Sequence, residues 1–585
     1  MLTINYQKRK NNELFRSLEI PNNLFISNLQ NYIPIYNKFF ELNETNFNSI
    51  NLNHKFYICN INKSNETDYH LYNCRVKNIV NNKAKDKNLY FKLAPLLDPY
   101  KYLIGKYNIM DDELFRLPEL NSSQENCNKK ILDPNNSAYV DGFFLYLTNE
   151  LLNMHSFSHG IEYYGSFLGV KNDFIINVFE DIHYLNNSEF FNKNKNILFK
   201  IDDYEHLFQE DKEQLKPISI HHNTTANSQL SVHSFDIDIF EEIFEDNICD
   251  LNDIKCNKTE LVEITKSNLM IDIEQKNQFT LKSTSTCSSR SSYTDIGDIE
   301  KDNQYNDDEV INETEGSESQ ESSDDEFTEE EEIINVTIPK FPVQVICMEH
   351  CENTFDDLIL TEDLTNDEWY SAFMQIIMTL ITYQKSFHFT HNDLHTNNVM
   401  YNKTDKKFIY YCYKNKYYKV PTFGRIFKII DFGRAIYKFN GKNFCSDSFQ
   451  TGGDAATQYN TEPYFNENKP RLEPNYSFDL CRLACSIFDY VIDDFEEIKD
   501  ISNCKDSVKR LIVEWCLDDN GINMLYKNTG VDRYPDFKLY KMISRCVHNH
   551  TPQSQLERPE FDKYSKFKGD IPNDVINIDN IPIYV

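Results

Sequence analysis

The chain has 585 residues, which is too long for one ordinary domain and suits two folded parts with additional segments. Hydrophobic residues make up 40% and aromatic residues 14%, which is enough to bury a large core. The net charge of −32 argues against a nucleic-acid-binding protein, because such proteins carry basic patches.

The first hundred residues contain two predicted strands. Residues 1–50 are polar and rich in asparagine, and we treat them as an N-terminal extension without an assigned role. Strand-like apolar runs follow at Lys55–Cys59 and Leu89–Leu93. Pro95 and Pro99 then mark a loop after the second strand.

A helix and two strands are predicted between residues 138 and 179. Ala138–Met154 carries apolar side chains at steps of three and four residues, which is typical of a helix. Ile161–Val170 and Phe174–Phe179 have the composition of strands, and the polar residues Lys171-Asn172-Asp173 between them favour a turn.

Residues 186–337 form an acidic, low-complexity insertion. We expect most of it to be disordered, because few apolar side chains are available to offset the entropy of ordering. Residues 300–332 hold 16 Asp or Glu and one Lys, a net charge of −15. A solvated acidic loop and a segment that binds a basic partner both fit this run. Phe235–Phe244 is the one stretch with the composition of a short helix or a partner-binding segment.

Regular structure is predicted to resume with the apolar strand Val343–Met348. Thr365-Asn366-Asp367-Glu368 matches a capping box and opens a helix that runs to about Phe387. Ile426–Ile430 is predicted as another buried strand, and Leu480–Ile492 as an apolar helix.

The cysteines and the apolar segments indicate where the protein resides. The 15 cysteines include no Cys-x-x-Cys pair, which indicates free thiols in a reducing compartment. Residues 1–18 lack the apolar stretch of a secretory signal. The longest strongly apolar segment, Phe373–Ile381, is far shorter than the roughly 20 residues of a membrane span. We therefore expect a soluble intracellular protein that does not bind membranes.

Two motifs carry the chemistry of phosphoryl transfer. His391-Asn392-Asp393-Leu394-His395-Thr396-Asn397-Asn398 follows the second predicted helix, and Asp431-Phe432-Gly433 follows the strand Ile426–Ile430. Phosphoryl transfer from ATP requires cations over the phosphates and a carboxylate that orients the attacking hydroxyl. Asp393 is the candidate for that carboxylate. Asn398 and Asp431 offer the oxygen ligands that Mg²⁺ prefers.

These motifs resemble those of the protein-kinase superfamily. The resemblance is closer to the serine/threonine kinases encoded by large nucleocytoplasmic DNA viruses, in which the catalytic loop reads His-Asn-Asp-Leu-His. It implies an α+β, bilobal protein-kinase-like fold that uses ATP and Mg²⁺ and, for a viral protein, a location in the host cytoplasm. The implied divisions are 51–185 as the first part of a small β-rich N-lobe, 186–337 as the insertion, 338–350 as the last N-lobe strand and hinge, and 351–585 as a mainly α-helical C-lobe with a C-terminal tail.

The resemblance also implies roles for further residues. Lys92 occupies the place of the strand lysine that contacts the α- and β-phosphates. Glu150 is the candidate for the helix acid that pairs with this lysine, and Asp141 is its rival. Met348 would lie at the back of the adenine site, and the backbones of Glu349 and Cys351 would bind the base. Two structural roles follow as well: Asp479 as the buried brace of the catalytic loop, and Arg558 as the late structural arginine.

Three departures from the kinase pattern stand out. No glycine precedes Gly105, so the Gly-rich phosphate loop is missing. Asn392 replaces the usual arginine, which removes the cation that would receive a phosphorylated activation loop. His395 replaces the usual lysine two residues past Asp393, where it could hydrogen-bond the γ-phosphate. Small-molecule kinases of the aminoglycoside and choline type often share this histidine.

Three functions therefore remain open from the sequence. The first is a serine/threonine protein kinase with a protein substrate, and the second is a small-molecule kinase, which His395 favours. The third is a pseudokinase that binds partners, which the missing glycine loop favours and the intact Asp393, Asn398 and Asp431 oppose.

Overall fold

The computed structural model describes residues 2–21, 23–64, 70–111, 113–208, 333–492, 501, 504–527, 530–535 and 537–585. One compact unit contains residues 1–202 and 282–585, and a second contains residues 203–281. Within the second unit, the described residues are 203–208, which include the short 3-10 turn Glu205–Phe208. The fold is 33% helical and 26% strand, which confirms the expected mixture of helices and strands.

The regular elements of the first unit are numbered in chain order. The strands are β1 Tyr6–Lys8, β2 Ile26–Gln30, β3 Ile50–Leu52, β4 Phe56–Ser64, β5 Leu71–Asn78, β6 Ala84–Pro95, β7 Tyr163–Asn177, β8 Lys200–Ile201, β9 Asn335–Glu349, β10 Asn353–Thr354, β11 Val399–Lys403, β12 Phe408–Tyr413, β13 Lys416–Pro421, β14 Arg425–Ile429, β15 Ile436–Phe439, β16 Lys442–Cys445 and β17 Ile576–Asn577. The helices are α1 Asn12–Glu19, α2 Pro99–Leu103, α3 Lys129–Leu132, α4 Ser137–His155, α5 Ile182–Asn186, α6 Glu189–Asn194, α7 Phe355–Thr361, α8 Asn366–Phe387, α9 Phe478–Val491, α10 Ser507–Trp515, α11 Lys538–Cys546, α12 Pro552–Gln555 and α13 Pro559–Asp562.

Seven strands form one large sheet with the order β2-β7-β9-β6-β5-β4, and β8 pairs with β9 beside this path. All of these pairs are antiparallel. The central strand β9 is buried from Phe341 to Met348, which accounts for the continuous apolar run in its sequence. Its pairing with β6 sets Lys92 opposite Ile346.

Helix α4 lies against this sheet and is buried over most of its length. It begins at the Asn136 cap, whose side chain accepts a hydrogen bond from Ala138 N–H. Gly142 permits the close approach to β9, because a Cβ atom there would lie 2.3 Å from Gln344 Nε2. Phe144 of α4 stacks on Phe389 with ring centroids 4.4 Å apart, which joins the helix to the C-terminal part of the chain.

The C-terminal part is built around α8, which confirms the helix predicted from the capping box. Thr365 accepts from Glu368 N–H, and the Glu368 carboxylate accepts from Thr365 N–H. Beyond α8, the antiparallel pair β11 and β14 aligns Val399 with Ile429. This register positions the site residues, because it brings Asn398, the residue before β11, next to the residues that follow β14 and include Asp431.

Several predicted boundaries are wrong. The first 50 residues belong to the sheet and its surroundings, because β2 pairs with β7 and α1 buries three apolar side chains. The turn predicted at residues 171–173 is instead part of β7, where Asn172 pairs with Lys340. Asp173 takes a left-handed conformation with φ 50°, which an aspartate tolerates without ending the strand.

The predicted insertion also has narrower bounds than 186–337. Helix α6 and strand β8 lie within its first part, and β9 begins at Asn335. The rings of Phe191 and Phe199 stack 5.2 Å apart and are buried, so they supply apolar burial that the composition of the whole segment concealed. Residues 209–332, including Phe235–Phe244 and the acidic run 300–332, lie outside the described residues.

Among the described residues, no helix combines the length and the hydropathy that crossing a membrane requires.

Candidate active site

A cavity of about 340 Å³ lies between the large sheet, α4 and the loops of the C-terminal part. Both sequence motifs contribute to its wall, together with Lys92 and the segment that follows β6. The lining residues with polar side chains are Lys92, Asp98, Tyr100, Lys130, Ser137, Asp141, Asp393, His395, Asn397, Asn398, Asp431, Arg434, Ser448 and Asp454. Nine site residues were predicted from the sequence, and five of them line this cavity: Lys92, Asp393, His395, Asn398 and Asp431. The other four, Glu150, Met348, Glu349 and Cys351, are not among the lining residues.

The loop of residues 391–398 is held by a buried carboxylate at the start of α9. Asp479 accepts hydrogen bonds from His391 N–H and Asn392 N–H, both at 2.9 Å. Asn392 is in the left-handed region with φ 64°, and the hydroxyl of Tyr459 donates to its side-chain oxygen at 2.8 Å. These bonds fix the backbone immediately before Asp393, so the direction of the Asp393 side chain is set by a buried framework.

Asp393 has partners on both carboxylate oxygens. The Tyr540 hydroxyl donates to Oδ1 at 2.7 Å, and the Arg434 guanidinium lies 3.5 Å from Oδ2. Burial by itself would raise the pKa of Asp393, but the charges of Arg434, His395 and Arg482 and the Tyr540 hydrogen bond lower it on balance. Asp393 is therefore ionised near neutral pH and able to accept a proton.

Asn398 and His395 orient each other. The Asn398 amide donates to the Asp393 carbonyl at 2.9 Å and contacts His395 Nε2 at 3.0 Å. A carbonyl oxygen only accepts, so the amide nitrogen must face both partners and the amide oxygen of Asn398 is left for a metal ion. His395 Nε2 is then an acceptor, which places the ring proton on Nδ1. Burial lowers the pKa of His395 to about 4, so the ring is neutral at pH 7.

Lys92 joins the sheet to both remaining acids. Its Nζ lies 2.6 Å from Asp141 Oδ2 and 2.9 Å from Asp431 Oδ1. Burial opposes the charge of Lys92, but the two carboxylates raise its pKa on balance, so it stays protonated. Burial by itself would raise the pKa of Asp431, but the charge of Lys92 outweighs this effect and lowers that pKa to about 2. Asp141 also accepts from Phe432 N–H at 2.8 Å, so it ties α4 to the turn after β14.

The partner of Lys92 is therefore Asp141, and the predicted partner Glu150 is wrong. Glu150 lies more than two turns of α4 beyond Asp141, and its carboxylate accepts from the Asn149 side chain at 3.1 Å. Burial raises the pKa of Glu150 to about 7. Asp141, which the sequence analysis held as the rival, makes the ion pair because its position near the start of α4 faces the end of β6.

The predicted hinge residues lie at the end of β9 and are separate from the residues that line the cavity. Met348 is buried between Tyr90 and Tyr163 in the register of the sheet. Glu349 N–H donates to the Glu162 carbonyl at 2.9 Å, so it is not available to a base. Within the described residues, the Cys351 N–H donates to no protein group and is the one predicted backbone donor that a ligand could use.

The Glu349 side chain has a role that the sequence analysis missed. Lys428 donates to its Oε1 at 2.6 Å and also to the Gly160 carbonyl at 2.7 Å, and both charged groups are largely buried. The same Oε1 accepts from Glu162 N–H at 2.8 Å. This cluster fastens the end of β9 to β14, which is the strand that leads to Asp431.

Two other residues of the site escaped the sequence analysis. Arg434 follows the Asp431-Phe432-Gly433 motif directly, so its position next to Asp431 was a usable signal. Tyr540 is 147 residues away from Asp393 along the chain, and no motif marks it. Its place on α11 is visible only in three dimensions.

The residues present fit a magnesium–nucleotide complex. Asn398 has one side-chain oxygen left after its amide is used, and Asp431 is a half-exposed carboxylate that faces the cavity. Two oxygen donors of this kind suit a hard cation that keeps water and phosphate oxygens as its other ligands. Lys92 supplies a positive charge within 2.9 Å of the same carboxylate.

No protein-family model matches the chain. A comparison with curated proteins likewise finds no significant match.

Proposed function

We propose that this protein is an ATP–Mg²⁺-dependent phosphotransferase with a bilobal protein-kinase-like fold. The observation that carries the proposal is the meeting of Lys92, Asp141, Asp393, Asn398 and Asp431 around one cavity, although they come from four separate places in the sequence. Each has the chemical type and the partner that phosphoryl transfer requires.

The arrangement of the elements supports the same proposal. Strands β4, β5, β6, β9 and β7, with α4 packed against them, would form the small lobe, and residues after Glu349 would form the large lobe. In this assignment β6 supplies the lysine, α4 supplies the paired acid, and the loops before β11 and after β14 supply the metal and base groups. The chain passes between the lobes at Glu349–Cys351.

In the proposed reaction, Asp393 orients the acceptor hydroxyl and takes its proton as the oxygen bonds to the γ-phosphorus and the bond to ADP breaks. Asn398 and Asp431 would hold Mg²⁺, which neutralises phosphate charge when bound. Lys92 would contact the α- and β-phosphates while Asp141 keeps it in place. The pKa of Asp393 is below its usual value, so the base is in its active form at neutral pH.

The acceptor class rests on two arguments. The resemblance to viral serine/threonine kinases favours a serine or threonine hydroxyl of a protein. A small-molecule acceptor is the second candidate, because Asp98, Tyr100 and Lys130 from the connection between β6 and α4 line the same cavity as Asp393. A wall formed by this connection restricts the size of the group that reaches the base.

The decisive experiment is transfer of labelled phosphate from γ-labelled ATP with Mg²⁺. Wild type is compared with Asp393→Ala and Asp431→Ala, using both a mixture of proteins and a mixture of small hydroxyl compounds as acceptors. We expect label in the protein fraction with wild type alone. Equal background in all three proteins would refute catalysis and leave the pseudokinase. Label confined to small molecules would assign the second acceptor class.

A further inference from the structure

Among the residues that the structure describes, Arg434 is the one arginine that lines the cavity of the proposed active site. Only 8% of its surface is exposed. Its Nη2 donates to Asp454 at 2.8 Å, and its Nη1 lies 3.5 Å from Asp393 Oδ2. A guanidinium has five N–H donors in one plane, so these two contacts leave donors for a ligand. The flanking carboxylates hold Arg434 in position and do not use up its hydrogen-bonding capacity.

Two further donors belong to residues 395 and 397, which line the same cavity as Arg434. His395 is 97% buried and carries its proton on Nδ1, and this nitrogen has no hydrogen-bond partner among the described residues. The side-chain nitrogen of Asn397 is also buried without a partner there. Both residues line the cavity. Buried donors are ordinarily satisfied, so these two, on residues that share a cavity with Arg434, are available to an anionic ligand.

One usual source of phosphate-binding N–H groups is missing from the sequence of the β4–β5 connection. The connection between β4 and β5, residues 65–70, reads Asn-Glu-Thr-Asp-Tyr-His and contains no glycine. A glycine-rich turn is the usual source of backbone N–H groups around phosphates. The terminal phosphate therefore needs donors from elsewhere, and Arg434 lies next to the base that receives the acceptor's proton.

We propose that Arg434, with His395 Nδ1–H and the Asn397 amide, binds the terminal phosphate of the nucleotide. This inference rests on the proposed function and adds a phosphate site made entirely by the large lobe. During transfer the acceptor oxygen bonds to the phosphorus, the bond to the ADP oxygen breaks, and the acceptor's proton goes to Asp393. Arg434 touches the non-bridging oxygens of the group in transit and offsets their charge throughout.

The test measures the preference for ATP over ADP, because the two nucleotides differ by the phosphate that Arg434 is proposed to bind. Titration calorimetry with Mg²⁺ compares wild type, Arg434→Gln, Arg434→Lys and Asn397→Ala. In Arg434→Gln we expect ATP affinity to fall by about tenfold or more while ADP affinity stays within about threefold. Arg434→Lys should recover part of the loss, since it restores the charge without the planar donor pair.

A matched control and a second variant keep the result interpretable. Arg471→Gln removes an exposed arginine that pairs with Glu462 and Glu473, and it should leave both affinities unchanged. If Arg434→Gln fails to fold, Asn397→Ala decides, because its amide nitrogen has no partner to lose in the described protein. It should weaken ATP binding by about threefold and spare ADP.

The outcomes separate this inference from the function on which it rests. If wild type binds neither nucleotide, the proposed function itself is refuted. If wild type binds both and Arg434→Gln weakens ATP and ADP equally, or weakens neither, the phosphate site is refuted and the proposed function stands.

Discussion

The Lys92 amine pairs with the carboxylates of Asp141 and Asp431. Contact with this amine distinguishes Asp141 from Glu150. Asp141 is 2.6 Å from Lys92 Nζ and also accepts the Phe432 N–H, so its loss frees both the lysine and the turn that carries Asp431. Glu150 contacts neither group, and burial alone raises its pKa to about 7.

The two acids on α4 therefore form a matched pair for mutation. We expect Asp141→Asn to lower the rate of phosphate transfer by about a hundredfold, because Lys92 loses its positioning partner. Glu150→Gln should remain within about threefold of wild type, since the carboxylate contacts no group of the site. Steady-state kinetics with varied ATP measures both. A loss in Glu150→Gln as large as that in Asp141→Asn would contradict this assignment.

Tyr540 is the second residue whose position can be tested, because its hydroxyl bridges Asp393 and Arg482. Its hydroxyl donates to Asp393 Oδ1 and accepts from Arg482 Nε at 2.9 Å. We expect Tyr540→Phe to reduce kcat by about tenfold at pH 7 with little change in KM for ATP, because only the orientation of the base is lost. Tyr410→Phe, which changes a partly exposed tyrosine on β12, is the control. A change confined to KM would argue against a positioning role.

The sequence indicated which residues line the cavity better than it indicated their partners. Asp393, Asn398 and Asp431 lie within short motifs, so local spacing was sufficient to find them. Tyr540 and the pairing of Lys92 with Asp141 depend on contacts between distant segments, which local patterns do not encode. Helix α4 offered two acids nine residues apart, which lie on opposite faces of the helix, and only its placement against β6 decides between them.

At the level of the elements, the segment between β16 and α9 is held against α4 by the buried carboxylate of Asp447, a residue of that segment. Asp447 is fully buried, accepts from Ser137 N–H at 3.0 Å at the start of α4, and pairs with Lys130. Its own N–H donates to the Asn135 carbonyl at 2.8 Å. A carboxylate at the N-terminus of a helix is favourable there, so this brace needs no phosphate group.

For the proposed activity, this brace is a physical reason to expect independence from phosphorylation of the segment. We expect Asp447→Asn to lower transfer by about tenfold through the loss of the Lys130 ion pair. Alanine at Ser446, Thr451, Thr457 or Thr461, and phenylalanine at Tyr437, should each stay within about fivefold of wild type. Mass spectrometry of the active enzyme checks that the segment is unmodified. An inactive hydroxyl variant that glutamate at the same position rescues would contradict the expectation.

Element prediction succeeded where periodicity and caps were strong. The predicted α4 and α8 agree with the structure to within a few residues, because both have regular apolar spacing and α8 has a capping box. The single strand β7 was read as two, since three polar residues in a row resemble a turn. Long-range pairing with β9 keeps those residues extended, and a local pattern contains no information about that partner.

On the scale of the whole molecule, buried neutral histidines should make the fold sensitive to acid. His159 Nδ1 donates to the Phe427 carbonyl at 2.7 Å, and the Tyr411 hydroxyl donates to Nε2 at 2.7 Å. Burial lowers the pKa of His159 to about 4 and that of His54 to about 3. The unfolded chain binds protons at these sites near pH 6.5 while the folded chain does not, so stability is lost as pH falls from about 6.5 towards 4.

The size of this effect is measurable by denaturant unfolding. At pH 5 the penalty from His159 alone amounts to about 2 kcal/mol relative to pH 7. His159→Gln should be less stable than wild type at pH 7, because it loses the hydrogen bonds of the imidazole ring to Phe427 and Tyr411. Its free energy of unfolding should nevertheless fall less between pH 7 and pH 5 than that of wild type. An identical pH dependence in wild type and variant would show that His159 is not the acid-sensitive group.

Residues 209–332 should be separable from the fold. Strand β8 pairs with β9 through Ile201 and Val336, so the chain on either side of this segment is anchored next to the same strand. We expect a short Gly/Ser linker in place of residues 209–332 to preserve folding and phosphate transfer. A melting temperature more than about 10 °C below that of wild type would contradict this expectation.

The pairing of β8 with β9 also sets how the protein responds to mechanical load. A partner that pulls on residues 209–332 applies tension at the start of β9 and at the end of β8, where only two residue pairs hold the strands together. In this antiparallel geometry the load opens those pairs one at a time. The β8–β9 contact therefore yields first, at low force, and the roughly 45 Å of β9 beyond it shields the Glu349–Lys428 cluster from the pull.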